Sequence, residues 1–132
     1  MTRYAIDAVI ALRLIRDGSD ADRRHQLVAP SLLRSQALSL LYRDVRAGEL
    51  TETAGRRQLE AVATMKVRLL GDRVSRATAW KIAAELGWDD VGASEYLAVA
   101  SLQADALVTD DDALASSAAG IVRVAPYQEL AP

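Results

Sequence analysis

Tyr4-Ala5-Ile6-Asp7 and Ala106-Leu107-Val108-Thr109-Asp110-Asp111-Asp112 are two short apolar runs that each end in acid. Brief runs of this kind suit parallel strands buried by helices on both faces of a sheet. In both, the acid stands where strand would give way to helix. Open α/β sheets bind ligands in the crevice beyond the carboxyl ends of their strands. Acids far apart in the chain would therefore meet in one pocket. A carboxylate pocket in that position suits a hard divalent cation such as Mg²⁺ or Mn²⁺.

Working outward, the pattern predicts a strand over residues 3–7, a helix over 8–16 and a polar turn over 17–22. A second strand covers 26–29 and is closed by Pro30. A long helix then runs over 31–47, with Leu33, Ala37, Leu40, Leu41 and Val45 at helical spacing and Gly48 as its stop. Thr51 caps a further helix to 66, and 67–70 reads as a third strand despite Arg68. Ser75 reads as the cap of a helix to Leu86 that Gly87 ends. After a helix over 92–103 come a strand over 106–109, a short helix over 111–118 and a last strand over 121–125. The order predicts a three-layer α/β fold, with a mostly parallel central sheet of four or five strands and helices on both faces.

The 132 residues suit one domain over 1–132. A hydrophobic content of 51% with 26% charged residues is ordinary for a soluble protein. Arg13 and Arg16 interrupt the longest early apolar run, so no membrane span or membrane partner is expected. Arg3 and Asp7 make the start a poor secretory signal. The lack of cysteine excludes disulfides and cysteine zinc sites and fits a reducing, cytoplasmic setting. A net charge of −2 argues against a generic nucleic-acid coat. Fourteen of the sixteen basic residues are Arg, with Arg23-Arg24, Arg43 and Arg46, Arg56-Arg57, and Arg73 and Arg76 paired or nearly so. The guanidinium fork suits phosphate, although a G+C-rich coding bias would enrich Arg and Ala equally well.

Two polar residues share apolar helix faces. Glu95 lies in phase with Ala98, Val99 and Leu102, and a buried carboxylate must be paired, protonated or bound to a cation. Gln36 lies between Leu33 and Leu40 and offers a neutral carbonyl oxygen. Each has an ordinary reading too: Asp7 and one of Asp110, Asp111 and Asp112 as helix caps, Glu95 as an arginine partner, Gln36 as a backbone partner. The single His25 reads as a surface histidine, and Trp80 and Trp88 as core and helix-end anchors. No Walker loop, Gly-x-Gly-x-x-Gly or Gly-x-Ser-x-Gly occurs.

In these stretches the chain resembles the PIN-domain proteins, specifically the VapC-like ribonuclease toxins of type II toxin–antitoxin modules. Tyr-Ala-Ile-Asp-Ala (4–8) resembles the family's opening strand with its first acid, Asp7. The segment 28–41 resembles the one that usually reads Arg-Ser-Glu, with Gln36 in place of the catalytic Glu. Ser-Glu-Tyr-Leu-Ala-Val-Ala (94–100) and Leu-Gln-Ala-Asp-Ala-Leu-Val-Thr-Asp-Asp (102–111) resemble its most diagnostic part, which supplies the late acid, Asp111. The resemblance implies a PIN-like fold and an endoribonuclease whose Mg²⁺ or Mn²⁺ activates water and neutralises the scissile phosphate. It implies Asp7, Glu95 and Asp111 as metal ligands, Asp110 and Asp112 as secondary candidates, and position 36 as a further catalytic position. In many relatives the third acid stands two positions before Glu95, where this chain has Ala93.

The expected partners are RNA, a small antitoxin protein that covers the acidic cleft, and a second copy in a homodimer. Arg13, Arg16 and Arg34 are expected to form the RNA rim, because the first helix and the long helix after Pro30 should both start beside the strand ends. Gln36 and Ala93 keep a second reading open, a catalytically silent PIN-like module that retains only its binding interface. A phosphoacceptor domain of the response-regulator kind would also use strand-end acids, but it expects a lysine near Arg123-Val124-Ala125-Pro126, which offers none.

Overall fold

The structure, a computed structural model, describes residues 2–132. Five strands, β1 (Arg3–Ile6), β2 (Gln26–Pro30), β3 (Arg68–Leu70), β4 (Ala106–Val108) and β5 (Arg123–Val124), form one sheet in the order β3-β2-β1-β4-β5. Every pairing is parallel. The helices are α1 (Ala8–Arg16), α2 (Ala21–Arg24), α3 (Leu33–Arg46), α4 (Glu52–Thr64), α5 (Arg73–Leu86), α6 (Gly92–Gln103), α7 (Asp112–Ala118) and α8 (Tyr127–Leu130). The three-layer α/β expectation therefore holds.

Alternation along the three central strands divides the core in two. Tyr4, Ile6, Leu27, Ala29, Ala106 and Val108 face one layer, which Ile10 and Leu14 of α1, Leu33 and Leu41 of α3, Val62 of α4 and Leu130 of α8 complete. Ala5, Val28 and Leu107 face the other, under Ala79 and Ile82 of α5, Leu97 and Val99 of α6 and Leu114 of α7. With both faces covered, the central strands are apolar beyond their first residues, the exposed Arg3 and Gln26, which is why they read as continuous apolar runs. The sheet edges differ. Arg68 in β3 and both residues of β5 are exposed, and an edge strand tolerates such charge.

Most expected elements lie within a residue or two of those observed, and the differences have local causes. Thr51 caps α4 as expected, accepting from the Ala54 N–H at 3.1 Å, and Gly87 ends α5 at φ 70°, a left-handed conformation that glycine adopts without strain. The cap of α5, however, is Asp72 and not Ser75: the Asp72 carboxylate accepts from the Ser75 N–H at 2.8 Å. The polar stretch 17–22 is not all turn, because α2 begins at Ala21 and buries that side chain. Residues 127–130 form the additional helix α8. The last strand shortens to Arg123–Val124. Trp88 packs beside the second core layer as expected. Trp80 does not: it is 75% exposed, because α5 buries Ala79, Ile82 and Ala83 instead, on the side packed against α6.

Candidate functional site

The strand order reverses direction at β1. From there the chain adds β2 and β3 on one side, then β4 and β5 on the other. The crevice between β1 and β4 is thus the topological switch point of the sheet, the usual place for a ligand in an open α/β fold. Asp7 leaves the end of β1 and Thr109-Asp110-Asp111 leave the end of β4. A cavity of about 530 Å³ opens there, with Asp7, Gln36, Tyr96 and Asp111 on its wall.

Asp7 is the buried member of the group, 8% exposed. One carboxylate oxygen caps α1 by accepting from the Ile10 N–H at 2.9 Å, and the other accepts from the Thr109 hydroxyl at 2.6 Å. Burial pushes the carboxyl above its ordinary pKa. The bonds from Thr109 and Ile10 pull it partly back, and the charges of Asp110 and Asp111 push it up again. Asp111 is exposed and caps α7 by accepting from the Leu114 N–H at 3.1 Å. Its own N–H donates to the Thr109 oxygen at 3.0 Å. One hydroxyl thus joins the two acids: Thr109 gives its proton to Asp7 and accepts from the backbone of Asp111.

Gln36 faces the same cavity from the first half of α3. The Tyr96 hydroxyl donates to its Oε1. Tyr96 is buried, and burial first, then the nearby Asp7 charge, raises its phenol beyond the ordinary tyrosine range, while the Ala8 N–H supports the phenol oxygen. The phenol therefore remains a donor at any working pH. A neutral amide oxygen is held at the place where the resemblance puts a carboxylate.

The other candidates are placed differently. Ala93 lines the cavity, but Glu95 does not; it is half-buried two residues further along α6. Helix α6 is buried on nearly every side, from Ser94 through Ala100, so sharing a face with Ala98 and Val99 says little about where Glu95 points. Among the described residues, no three His, Cys, Asp or Glu side chains are grouped so as to hold a metal ion. Asp110 is turned away into an ion pair with Arg13 at 3.1 Å, and Asp112 opens α7 on the exposed surface.

The three arginines expected at the rim do not line the cavity. Arg13 and Arg16 fall in the last turn of α1, at the end of the helix opposite Asp7. The Arg13 guanidinium stacks on the Tyr127 ring at 3.6 Å while it holds Asp110. Arg16 donates to Gln58 at 2.9 Å and pairs with Asp44 at 3.4 Å. Arg34 reaches the Ala63 carbonyl at 3.4 Å. The cation on the cavity wall is Arg43, beside Ser39 and Ser35. Its signal was available in the sequence: it lies two helical turns after Gln36 and one after Ser39, on the same stripe.

His25 is half-buried rather than superficial. Its ring stands edge-on to Tyr4, with centroids 5.2 Å apart, and its Nε2 is buried without a partner. No helix of the described residues is long and apolar enough to cross a membrane.

No protein-family model matches the chain, and no curated protein does. Solved structures do match it. PAE2754 from Pyrobaculum aerophilum superposes with a TM-score of 0.75 at 24% identity, over 98% of this chain and 92% of that one. The VapBC2 structure from Rickettsia felis, bound to a DNA fragment from their promoter, contains a chain that superposes with a TM-score of 0.61 at 11% identity, over 94% of this chain and 98% of that one. At such identities the likeness is one of fold, and the fold is the PIN-like one that the sequence resemblance implied.

Proposed function

We propose that this chain is a VapC-like, divalent-cation-dependent endoribonuclease of a toxin–antitoxin module, with Asp7 and Asp111 as the carboxylates that hold the cation. The observation that carries the reading is the convergence of these two acids, from opposite ends of the sequence, on one cavity at the switch point of the sheet. Two carboxylates and the Gln36 amide oxygen make an all-oxygen donor set. That set suits Mg²⁺, which keeps several waters and is commonly held by one or two carboxylates together with substrate phosphates. When bound, such an ion would polarise the phosphoryl group and supply a nucleophilic water at neutral pH.

The chain's own residues would do the rest. Asp7, fixed at both oxygens, cannot turn away from the cavity. Thr109 holds it in register with Asp111, so the two acids would move as one unit. Tyr96, as a permanent donor, would keep the Gln36 oxygen oriented. Arg43 stands on the wall with the planar fork that suits an RNA phosphate. The resemblance adds Glu95 as a third acid; for the phosphate beside the carboxylates, the geometry favours Arg43 over the rim of Arg13, Arg16 and Arg34 expected from the helix starts. A small antitoxin, RNA and a second copy of the chain remain the proposed partners, in the cytoplasm.

A silent binding module is the second reading, favoured by the neutral amide at position 36 and by Ala93 on the wall. Calorimetric titration of Mn²⁺ into the protein, into Asp7→Asn and into Gln36→Glu separates the two, alongside cleavage of single-stranded RNA. Under the enzyme reading the parent binds saturably, Asp7→Asn does not, and Gln36→Glu binds about tenfold tighter, roughly the worth of one added charge-assisted contact. Cleavage should follow the same order, with Asp7→Asn lower by about two to three orders of magnitude. Saturable binding that Asp7→Asn leaves unchanged would remove the carboxylates from the site. Absence of both binding and cleavage in the parent would favour the silent module.

A further inference from the structure

A second cavity, of about 370 Å³, opens at the opposite end of the sheet, where β1, β2 and β3 begin. Arg3, Arg23, Lys66 and Arg68 all line it. Among the described residues, the side-chain ion pairs engage Arg13, Arg16, Arg24, Arg56 and Arg123, and none of these four. The acid on the wall, Asp22, uses one oxygen to accept from the Lys66 backbone N–H at 3.1 Å. Arg23 stands in the last turn of α2 and Lys66 just past the C-cap of α4, where a helix dipole favours a cation. Arg3 and Arg68 begin strands and have no such reason. Four cations around one concavity repel one another, in a chain whose net charge is −2.

The wall also carries two carboxamides, Gln26 and Gln103. Gln26 Oε1 accepts from Arg3 Nε at 3.1 Å, which leaves its NH₂ free to donate. Leu27 and Val28 supply apolar surface between them. The volume falls within the range of small-ligand pockets. A concavity with converging guanidinium groups, amide donors and acceptors, and an apolar floor matches the chemistry of a nucleotide: the cations take the phosphate, and the carboxamides read a base edge.

We propose that this cavity binds the phosphate and base of a single nucleotide, free or at the end of an RNA strand. It shares no lining residue with the carboxylate cavity, and binding here does not depend on the chemistry proposed for Asp7 and Asp111.

The test is calorimetric titration with adenosine 5′-monophosphate in 0.15 M salt, physiological ionic strength, with adenosine as the control. The proteins are the parent, Asp7→Asn, and a triple variant Arg23→Ala, Lys66→Ala and Arg68→Ala. All three replaced side chains are exposed, and circular dichroism checks the fold of the variant. The parent and Asp7→Asn should bind the monophosphate equally, with adenosine at least tenfold weaker, and the triple variant should lose about tenfold or more. If the triple variant does not fold, Lys66→Met and Arg23→Met singly should each weaken binding severalfold. Competition by a 5′-phosphorylated RNA tetramer but not by its 5′-hydroxyl form identifies an RNA end as the source; competition by neither identifies a free nucleotide. The proposal fails if the monophosphate gives no saturable heat, if adenosine binds as well, or if affinity is unchanged in the cation variants. Arg23 and Lys66 would then serve the helix ends alone.

Discussion

The β1–α1 and β4–α7 junctions are built alike, each with an aspartate that caps its helix by accepting from the N–H three residues on, Ile10 in one and Leu114 in the other. They differ in what surrounds the carboxylate. Asp7 is enclosed and has both oxygens engaged, whereas Asp111 is exposed. The same backbone task is thus performed once in a low-dielectric pocket and once in water. Capping alone does not need the burial of Asp7, since Asp111 caps without it. A buried carboxylate near two others is costly to keep ionised, and that cost, kept at a cavity wall, is what a cation would relieve.

The largest effect should come from cutting the link between the junctions. Thr109→Val keeps the shape but removes the donor to Asp7 and the acceptor for the Asp111 N–H. The loss should be about 2 kcal/mol, in the range for a hydrogen bond to a charged group. The Asp7 carboxyl should also titrate higher still, because that donor now holds it down. Urea unfolding and carboxyl NMR read the two effects. A stability change within ~0.5 kcal/mol, what an unremarkable surface substitution gives, would show the junctions to be independent.

Asp111→Ala should cost about 1 kcal/mol by loss of the α7 cap, while Asp111→Asn, which keeps an acceptor, should cost little. Equal losses for the two, measured by denaturant midpoint, would mean that charge and not capping is what the exposed junction uses.

The smallest and most diagnostic effect is the pH dependence of Asp7→Asn in chelator. The folded carboxyl has a higher pKa than the unfolded one, so the folded chain holds this proton between the unfolded value, about 3.9, and the raised folded value. Stability from this group is greatest below that window and falls as pH climbs through it. Asn removes the fall and keeps a cap acceptor. The variant's Tm should therefore gain on the parent's between acid and neutral pH. Parallel Tm curves would mean that burial does not strain Asp7.

The sequence made the strands and the acid positions legible because each depends on local pattern: a run buried on both faces must be apolar, and its end is marked by a cap. It was less informative where tertiary surroundings decide. Glu95 shares a phase with apolar residues of α6, but a helix buried on nearly all sides has no single inner face. Trp80 reads as core by residue type, yet alanines and Ile82 supply the buried side of α5, packed against α6. The start of α1 suggests Arg13 and Arg16 for the rim, but the count along the helix puts both in its last turn. Tyr96 lay beside the quoted Glu95 and carried no mark of its own, since its partner Gln36 is sixty residues away.

The central position of β1 has a consequence for how the molecule is made. Ala5 sits between Val28 and Leu107, so one side of the strand can be paired soon after synthesis and the other only when residues 106–108 emerge. Such distant pairing closes late and slows folding. A chain growing from its amino terminus therefore carries an open edge on its innermost strand for most of its length. Thr109 and Asp111 arrive with the strand that closes that edge. The carboxylate cavity comes into being only once β4 and the acids after it have been made, and a ribosome-bound fragment that stops short of β4 contains Asp7 without a site to put it in.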